Sequence, residues 1–347
     1  MAKKLKYGLI GCGGCGVGKH LASYAKYADD VELYGVYDFE AAKAQAAAEK
    51  YGVPHVFDTY ESLLADPKLD VVSVVTPNAL HAPITIAALQ AGKHVHVEKP
   101  IALNAEQARA IVAAKDTAGK LVMVALNNRF SEVSQFIKRY VDEGNLGDIY
   151  HARCGWRRRR GIPGRGGWFT TKALSGGGPV IDLGVHFFDL TLFFMGFPAP
   201  TAVSASTYNK FADKTPGTGT FDVEDFAAGF AKLDTGASVA FEFSWASNIE
   251  RETNYLELLG TSGGLSMYNG ELRIFSEVSG SLVDVTPHVK NTSGWGDNET
   301  RHFIDCIRKR RQPMAPPEDA VKMMQIIDGI YASAESGREV RMDAVLV

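Results

Sequence analysis

Five short, nearly unbroken apolar runs, at 7–10, 31–37, 71–75, 94–97 and 121–125, recur through the first third of the chain. Most are rich in Val, and a shorter run at 55–57 adds a sixth. Between them, the stretches 41–51, 81–91 and 105–118 carry apolar residues at helical spacing. Strands apolar on both faces and alternating with helices are what a parallel sheet covered on both sides requires. The pattern predicts an α/β first domain over 1–126, a doubly wound parallel sheet of six strands.

After residue 127 the rhythm changes. A helix is predicted at 131–144, a strand at 149–156, an Arg/Gly-rich loop, and an apolar helix from Val180. Strand patterns at 226–233 and 238–245 flank the turn Asp234-Thr235-Gly236, and 255–259, 264–268 and 272–275 follow with glycine-containing turns. Two late helices, 298–310 and 318–336, precede a short strand at 339–341. Residues 127–347 therefore read as an α+β domain around a large, open-faced, mainly antiparallel sheet, with late helices free to pack back on the first domain.

Composition narrows the function classes. The 347 residues are 46% hydrophobic and 22% charged, enough apolar material for two cores. A net charge of −3 gives no field to hold nucleic acid or an anionic membrane, so neither is an expected partner. The most apolar stretch, 180–194, is broken by Asp182, His186 and Asp189, and the start, Met1-Ala2-Lys3-Lys4-Leu5-Lys6, lacks a secretory apolar core. A cytoplasmic location is the expectation. Four cysteines, Cys12, Cys15, Cys154 and Cys306, are too few and scattered for a disulfide framework.

Directly after the first strand stands Gly11-Cys12-Gly13-Gly14-Cys15-Gly16, a G-x-G-x-x-G turn opening a helix. Glycines there permit a tight turn and close approach of backbone to a pyrophosphate, and the helix N-terminus supplies N–H groups and a positive dipole. Asp38, at the end of the second strand, sits about 20 residues on, where a carboxylate accepts ribose hydroxyls. It would repel a 2′-phosphate, and the following residue is Phe39 rather than Arg, so NAD is favoured over NADP. The pair Cys12 and Cys15 also forms C-x-x-C, but no second Cys pair or His cluster accompanies it, and no metal is expected.

Two further segments carry chemistry. The fifth strand runs into Glu98-Lys99-Pro100, which puts Lys99 at the carboxyl edge of the sheet, where open α/β folds bind ligands. A lysine there can donate to a substrate hydroxyl and stabilise developing alkoxide. In Gly176-Gly177-Gly178-Pro179-Val180-Ile181-Asp182, followed by His186 and Asp189, the i,i+4 spacing sets Asp182 and His186 on one stripe of an apolar helix. A carboxylate beside an imidazole orients the ring and raises its basicity, which suits the His to take a hydroxyl proton, or forms a structural pair.

Together with Thr76-Pro77-Asn78-Ala79-Leu80-His81, and with Gly260, Gly263, Glu299, Phe303 and Ile307 near the end, these motifs resemble the glucose-fructose oxidoreductase/inositol dehydrogenase (Gfo/Idh/MocA) family over nearly the whole chain. The resemblance implies a Rossmann first domain binding NAD and a second domain for substrate binding and oligomerisation, in a homodimer or homotetramer. It implies a catalytic set of Lys99, Asp182 and His186, and a cis Lys99-Pro100 bond. Cofactor contacts are expected from Gly11, Gly13, Gly14, Cys15, Gly16, Asp38, Thr76, Asn78, His81, Glu98, Lys99 and Asn127. Arg129 is a candidate substrate contact, and its segment reads as either cofactor-facing or structural. Cys15 departs from the aliphatic residue or Ala usual in that turn.

The run Arg157-Arg158-Arg159-Arg160 with Arg165 and Trp168 lies just before the triple glycine. Arg158 and Trp168 are candidate substrate contacts, by charge-assisted hydrogen bonds and by stacking on a sugar ring, or else the run is a solvated or bridging strand end. The expected activity is NAD-dependent oxidation of a secondary hydroxyl of a sugar, sugar derivative or cyclitol. The rivals are an NAD-retaining glycosidase or transhydrogenase, and a non-catalytic cofactor-binding regulator.

Overall fold

The computed structural model describes residues 3–290 and 297–342; the expectation drawn from the start of the chain rests partly on Met1 and Ala2, which lie outside them. The chain divides into two compact units, one of Met1–Phe130 with Ser293–Ala320, the other of Ser131–Thr292 with Val321–Val347.

In the first unit, β1 (Leu5–Ile10), β2 (Val31–Tyr37), β3 (His55–Val56), β4 (Val71–Val74), β5 (His94–Val97) and β6 (Val122–Val124) form one parallel sheet. Its order is β3-β2-β1-β4-β5-β6, the doubly wound Rossmann arrangement. The apolar runs exist because the central strands have no wet face: Val71, Val72 and Val74 are fully buried, each such side chain contributing about 1.5–3 kcal/mol. Helices close by local chemistry. Asn104 caps Ala105–Ala118 by accepting from the Gln107 N–H, and left-handed Gly119 ends it.

The first unit also takes the helix Asp297–Lys309, which the pattern places within 127–347 as a late helix free to pack back on the first domain. Asp30 pairs with Arg301 at 2.5 Å and Arg308 at 3.0 Å, Lys26 pairs with Asp297 at 2.7 Å, and Phe303 is fully buried against His96.

The second unit carries a nine-stranded sheet: β7 (Ile149–Arg157), β8 (Pro200–Tyr208), β9 (Phe226–Leu233), β10 (Ser238–Ser244), β11 (Thr253–Gly260), β12 (Gly264–Tyr268), β13 (Glu271–Val278), β14 (Ser281–Val285) and β15 (Val340–Arg341). The order is β14-β13-β12-β11-β7-β10-β9-β8-β15, and β7 with β10 is the parallel pair in an otherwise antiparallel ladder. One face packs on the helix Val185–Phe194, where Phe187 and Phe188 meet Trp156, Phe241 and Phe243. The opposite face presents Phe230, Leu259, Tyr268 and Phe275, each more than a third exposed, among Arg153, Glu242 and Glu257.

Strands β8 and β14 have no counterpart in the sequence reading. The first exposes Thr201, Ser204, Ser206 and Tyr208 along its outer face, and the second is exposed along most of its length, so neither shows an apolar run. The stretch 172–194 is, among the described residues, the one helical span long and apolar enough to cross a membrane, and 89% of its most apolar window is buried inside the protein.

Candidate active site

The glycine turn is shaped by close packing rather than by flexibility. Gly11 has φ +97°, and a Cβ there would lie 2.0 Å from the Val75 carbonyl oxygen; one on Gly16 would lie 1.9 Å from the Gly11 oxygen. Gly13 and Gly14 differ, since a Cβ on either meets nothing within 4 Å. Two glycines thus let the turn close on the sheet, and two leave its outer backbone bare for a ligand to approach.

The helix that follows is not the regular α-helix its pattern predicts. Gly16–Leu21 is π-helical before Ala22–Ala25 continues as α-helix, and the same occurs at Val180–Gly184, ahead of Val185–Phe194. Such wide i→i+5 turns cost hydrogen-bond quality and concentrate at functional sites. Both lie where the motifs place the chemistry.

Asp38 is held at the end of β2: its Oδ2 accepts from the Cys12 N–H at 2.7 Å and its Oδ1 from the Glu40 N–H at 2.9 Å. The carboxylate is therefore tied to the glycine turn itself, while neighbouring Phe39 is 77% exposed. At the ends of β4 and β6, Thr76 Oγ1 and Asn127 Nδ2 are buried and have no hydrogen-bond partner among the described residues. Buried polar atoms left so are costly, and a bound ligand with complementary groups would satisfy them. Open backbone at Gly13 and Gly14, a fixed acceptor at Asp38 and these orphaned atoms fit a dinucleotide.

Beneath the turn lies a buried ionic network. Glu98 Oε1 accepts from Lys19 Nζ and His20 Nε2, both at 2.8 Å, and from Cys15 Sγ at 3.4 Å; its Oε2 accepts from the Lys99 N–H at 3.0 Å. Lys19 also pairs with Glu299 at 3.3 Å. Burial opposes charge on all of them, but the two carboxylates hold Lys19 above its ordinary pKa, and Lys19 with His20 holds Glu98 well below its own. Burial pushes His20 down to about 4, so the ring is neutral. Burial and the nearby Glu98 charge push the Cys15 thiol up to about 12, which makes it a poor nucleophile. Cys15, His20 and Glu98 bring ligand atoms within 4.8 Å of one another, yet the Lys19 ammonium already neutralises the shared oxygen.

Lys99 is half-buried, and its bond to Pro100 is cis. His81 is buried, with Nδ1 2.6 Å from the Pro100 oxygen and Nε2 2.8 Å from the Thr76 oxygen. Its ring thus staples the end of β4 to the Lys99-Pro100 segment rather than facing outward, and Glu98 supports the same segment from below. Asn78 is also buried. Arg129 has no exposed surface, and its Nη1 donates to the Met314 oxygen and to Asp319 Oδ2. Those partners give Arg129 a structural role within the first unit.

In the second unit, Asp182 and His186 are both half-buried, and Asp189 is fully buried. The Asp182 carboxylate accepts from the indole N–H of Trp245 at 2.9 Å. Trp245, fully buried at the end of β10, escaped sequence reasoning because a core tryptophan gives no signal of the carboxylate it serves. The arginine run is engaged locally: Arg157 pairs with Glu242, Arg158 lies over the Trp156 ring and near Glu252, and Arg159 and Arg160 bind the backbone at Glu250 and Ser247. All of those contacts lie within the second unit. Trp168 stacks on Phe169 with ring centres 3.8 Å apart.

One unit is a Rossmann unit with a dinucleotide-shaped turn, and the other bears an Asp/His helix, the two parts an oxidoreductase of the dinucleotide-dependent class carries. Residues 5–126 match the family model for the oxidoreductase family with NAD-binding Rossmann fold, and residues 134–266 match the GFO/IDH/MocA C-terminal domain. The D-glucoside 3-dehydrogenase of Escherichia coli K12 is 33% identical over 97% of both chains. The scyllo-inositol 2-dehydrogenase (NAD+) of Bacillus subtilis is 25% identical over 99% of this chain and 98% of its own. The crystal structure of aldose-aldose oxidoreductase from Caulobacter crescentus, complexed with glycerol, superposes with TM-score 0.83 at 25% identity, covering 98% of this chain and all of that one. The chain belongs to the Gfo/Idh/MocA oxidoreductase family, and its first domain is an NAD-binding Rossmann domain.

Proposed function

We propose that the protein oxidises a ring hydroxyl of a sugar, sugar derivative or cyclitol with NAD as hydride acceptor, with pyranosides the first class to try. The observation that carries the cofactor choice is the Asp38 carboxylate, an acceptor-only group fixed by two backbone N–H donors and followed by no cation at Phe39. The similarity to a D-glucoside 3-dehydrogenase supports the substrate class.

Gly11, Gly13, Gly14, Cys15 and Gly16 would hold the pyrophosphate by backbone, Asp38 the ribose, and Thr76, Asn78 and Asn127 the remaining polar edge. Bound there, NAD supplies the hydride acceptor. His186 takes the proton of the hydroxyl, and Asp182, oriented by the Trp245 N–H, favours the protonated imidazole. Lys99 donates to the same oxygen and stabilises its developing charge. The large sheet's partly apolar open face supports assembly as a homodimer or homotetramer.

A second reading has support in the aldose-aldose oxidoreductase likeness: NAD stays bound and two sugars exchange hydride through it. The test is NADH formation across pyranoses, pyranosides, cyclitols and uronates, with Lys99→Ala and His186→Ala as controls. Turnover is expected to fall at least about 100-fold in each control with NAD affinity within about twofold. Full turnover in both would overturn the assigned roles. A wild type that forms no NADH, but releases NAD on denaturation, would shift the reading to the retained-cofactor reaction.

A further inference from the structure

We infer that Glu224 and Tyr331 are positioning residues for the helix that carries Asp182 and His186, acting through the glycine triplet in front of it. Glu224 is 8% exposed. Its Oε2 accepts from the Gly178 N–H at 2.9 Å, and its Oε1 accepts from the Val180 N–H at 3.2 Å and from the Tyr331 hydroxyl at 3.1 Å. Between those two amides stands Pro179, which has no N–H to offer. The next two amides, of Ile181 and Asp182, both bond to the Gly178 oxygen, at 3.2 and 3.0 Å. The donors from Gly178 through Asp182 are thus all met, and the two that the helix itself cannot satisfy converge on one carboxylate.

The same clamp accounts for the glycines. A Cβ on Gly177 would stand 1.8 Å from the Tyr331 hydroxyl oxygen, and one on Gly178 would stand 1.9 Å from the Glu224 carbonyl oxygen. No side chain fits at either position while Glu224 and Tyr331 hold the turn. Gly177 and Gly178 thus form a close-packed seat. Asp182 lies two residues beyond Val180, so a shift of the first turn moves the Asp182 carboxylate relative to Trp245, and a misplacement near 1 Å can cost about 100-fold in rate.

This rests on the reading of Asp182 and His186 as catalytic, and the test separates the two. Glu224→Gln keeps the shape but sets an NH2 group against one of the two amides; Tyr331→Phe removes only the hydroxyl. Hydrogen exchange of the peptide 176–186, kcat and KM on the best sugar, and NAD Kd by fluorescence titration would be compared with wild type. The expected result for Glu224→Gln is exchange at least tenfold faster, kcat at least tenfold lower, and NAD Kd within twofold. Tyr331→Phe should move the same way by a smaller factor. A Glu224→Gln enzyme with kcat within twofold of wild type, or unchanged exchange in both variants, would overturn the proposal. If the wild type turns over no sugar, the dehydrogenase reading fails on its own, and exchange alone decides: faster exchange upholds the clamp, unchanged exchange removes it.

Discussion

Asp38 and Trp245 mark the two ends of what single residues reveal. Asp38 is legible because cofactor choice needs a carboxylate at one point along a strand–turn–helix–strand unit, and the chain has it there. The structure adds that both its oxygens are already held by N–H groups, so its place is fixed before ligand arrives. Replacing Asp38 with Ser and Phe39 with Arg should remove the repulsion toward a 2′-phosphate and supply a cation. The ratio of kcat/KM for NAD over that for NADP is expected to fall by at least about tenfold, a differential of about 1.4 kcal/mol; an unchanged ratio would remove Asp38 as the determinant. Trp245 is hidden in sequence, since its partner Asp182 is brought to it only by β10 packing beside the helix.

At the scale of elements, the alternating strands and helices of the first unit follow their apolar pattern because burial on both faces leaves no other choice. The π-turns at Gly16–Leu21 and Val180–Gly184 do not, because a wide turn uses the same residues as a regular one. The ionic network under the first of them makes a pH prediction. Burial holds His20 at about 4, below the roughly 6.5 of an unfolded chain. The unfolded state therefore binds that proton first, and stability from this group is full above about pH 6.5 and is lost as pH falls toward 4, by about 3 kcal/mol at most. Glu98, held well below its ordinary value against burial by Lys19 and His20, extends the loss at still lower pH. The thermal midpoint should decline between pH 6.5 and 4.5, with His20→Gln showing the shallower slope. Equal slopes in the two proteins would place the loss elsewhere, with half-buried His94, also at about 4, the next group to test.

For the whole molecule, the open sheet face decides the expected association. Phe230, Leu259, Tyr268 and Phe275 interrupt a field of Arg153, Glu242 and Glu257, the mix of apolar anchors and charged rim that suits a second copy. Sedimentation velocity is expected to give a dimer or tetramer, and Phe230→Arg with Tyr268→Arg should shift it toward monomer. A wild type that stays monomeric across concentrations would remove the assembly from the proposed function. The two-unit division was only partly legible: residues 1–126 carry their own pattern, but the helix Asp297–Lys309 joins the first unit through Asp30, Lys19 and Lys26, partners far away in sequence.

By itself the sequence determined the doubly wound sheet, the dinucleotide turn and the residue types at the candidate site. Periodicity, glycine spacing and a strand-end acid are local signals, written within a few dozen residues. Tertiary structure alone decided that Arg129 is internal, that Glu98 and His81 brace the cofactor segment from within, and that Glu224 and Tyr331 seat the glycine triplet. Each of those depends on a donor meeting an acceptor from a remote part of the chain, and a buried polar side chain carries no mark in sequence of which partner will satisfy it.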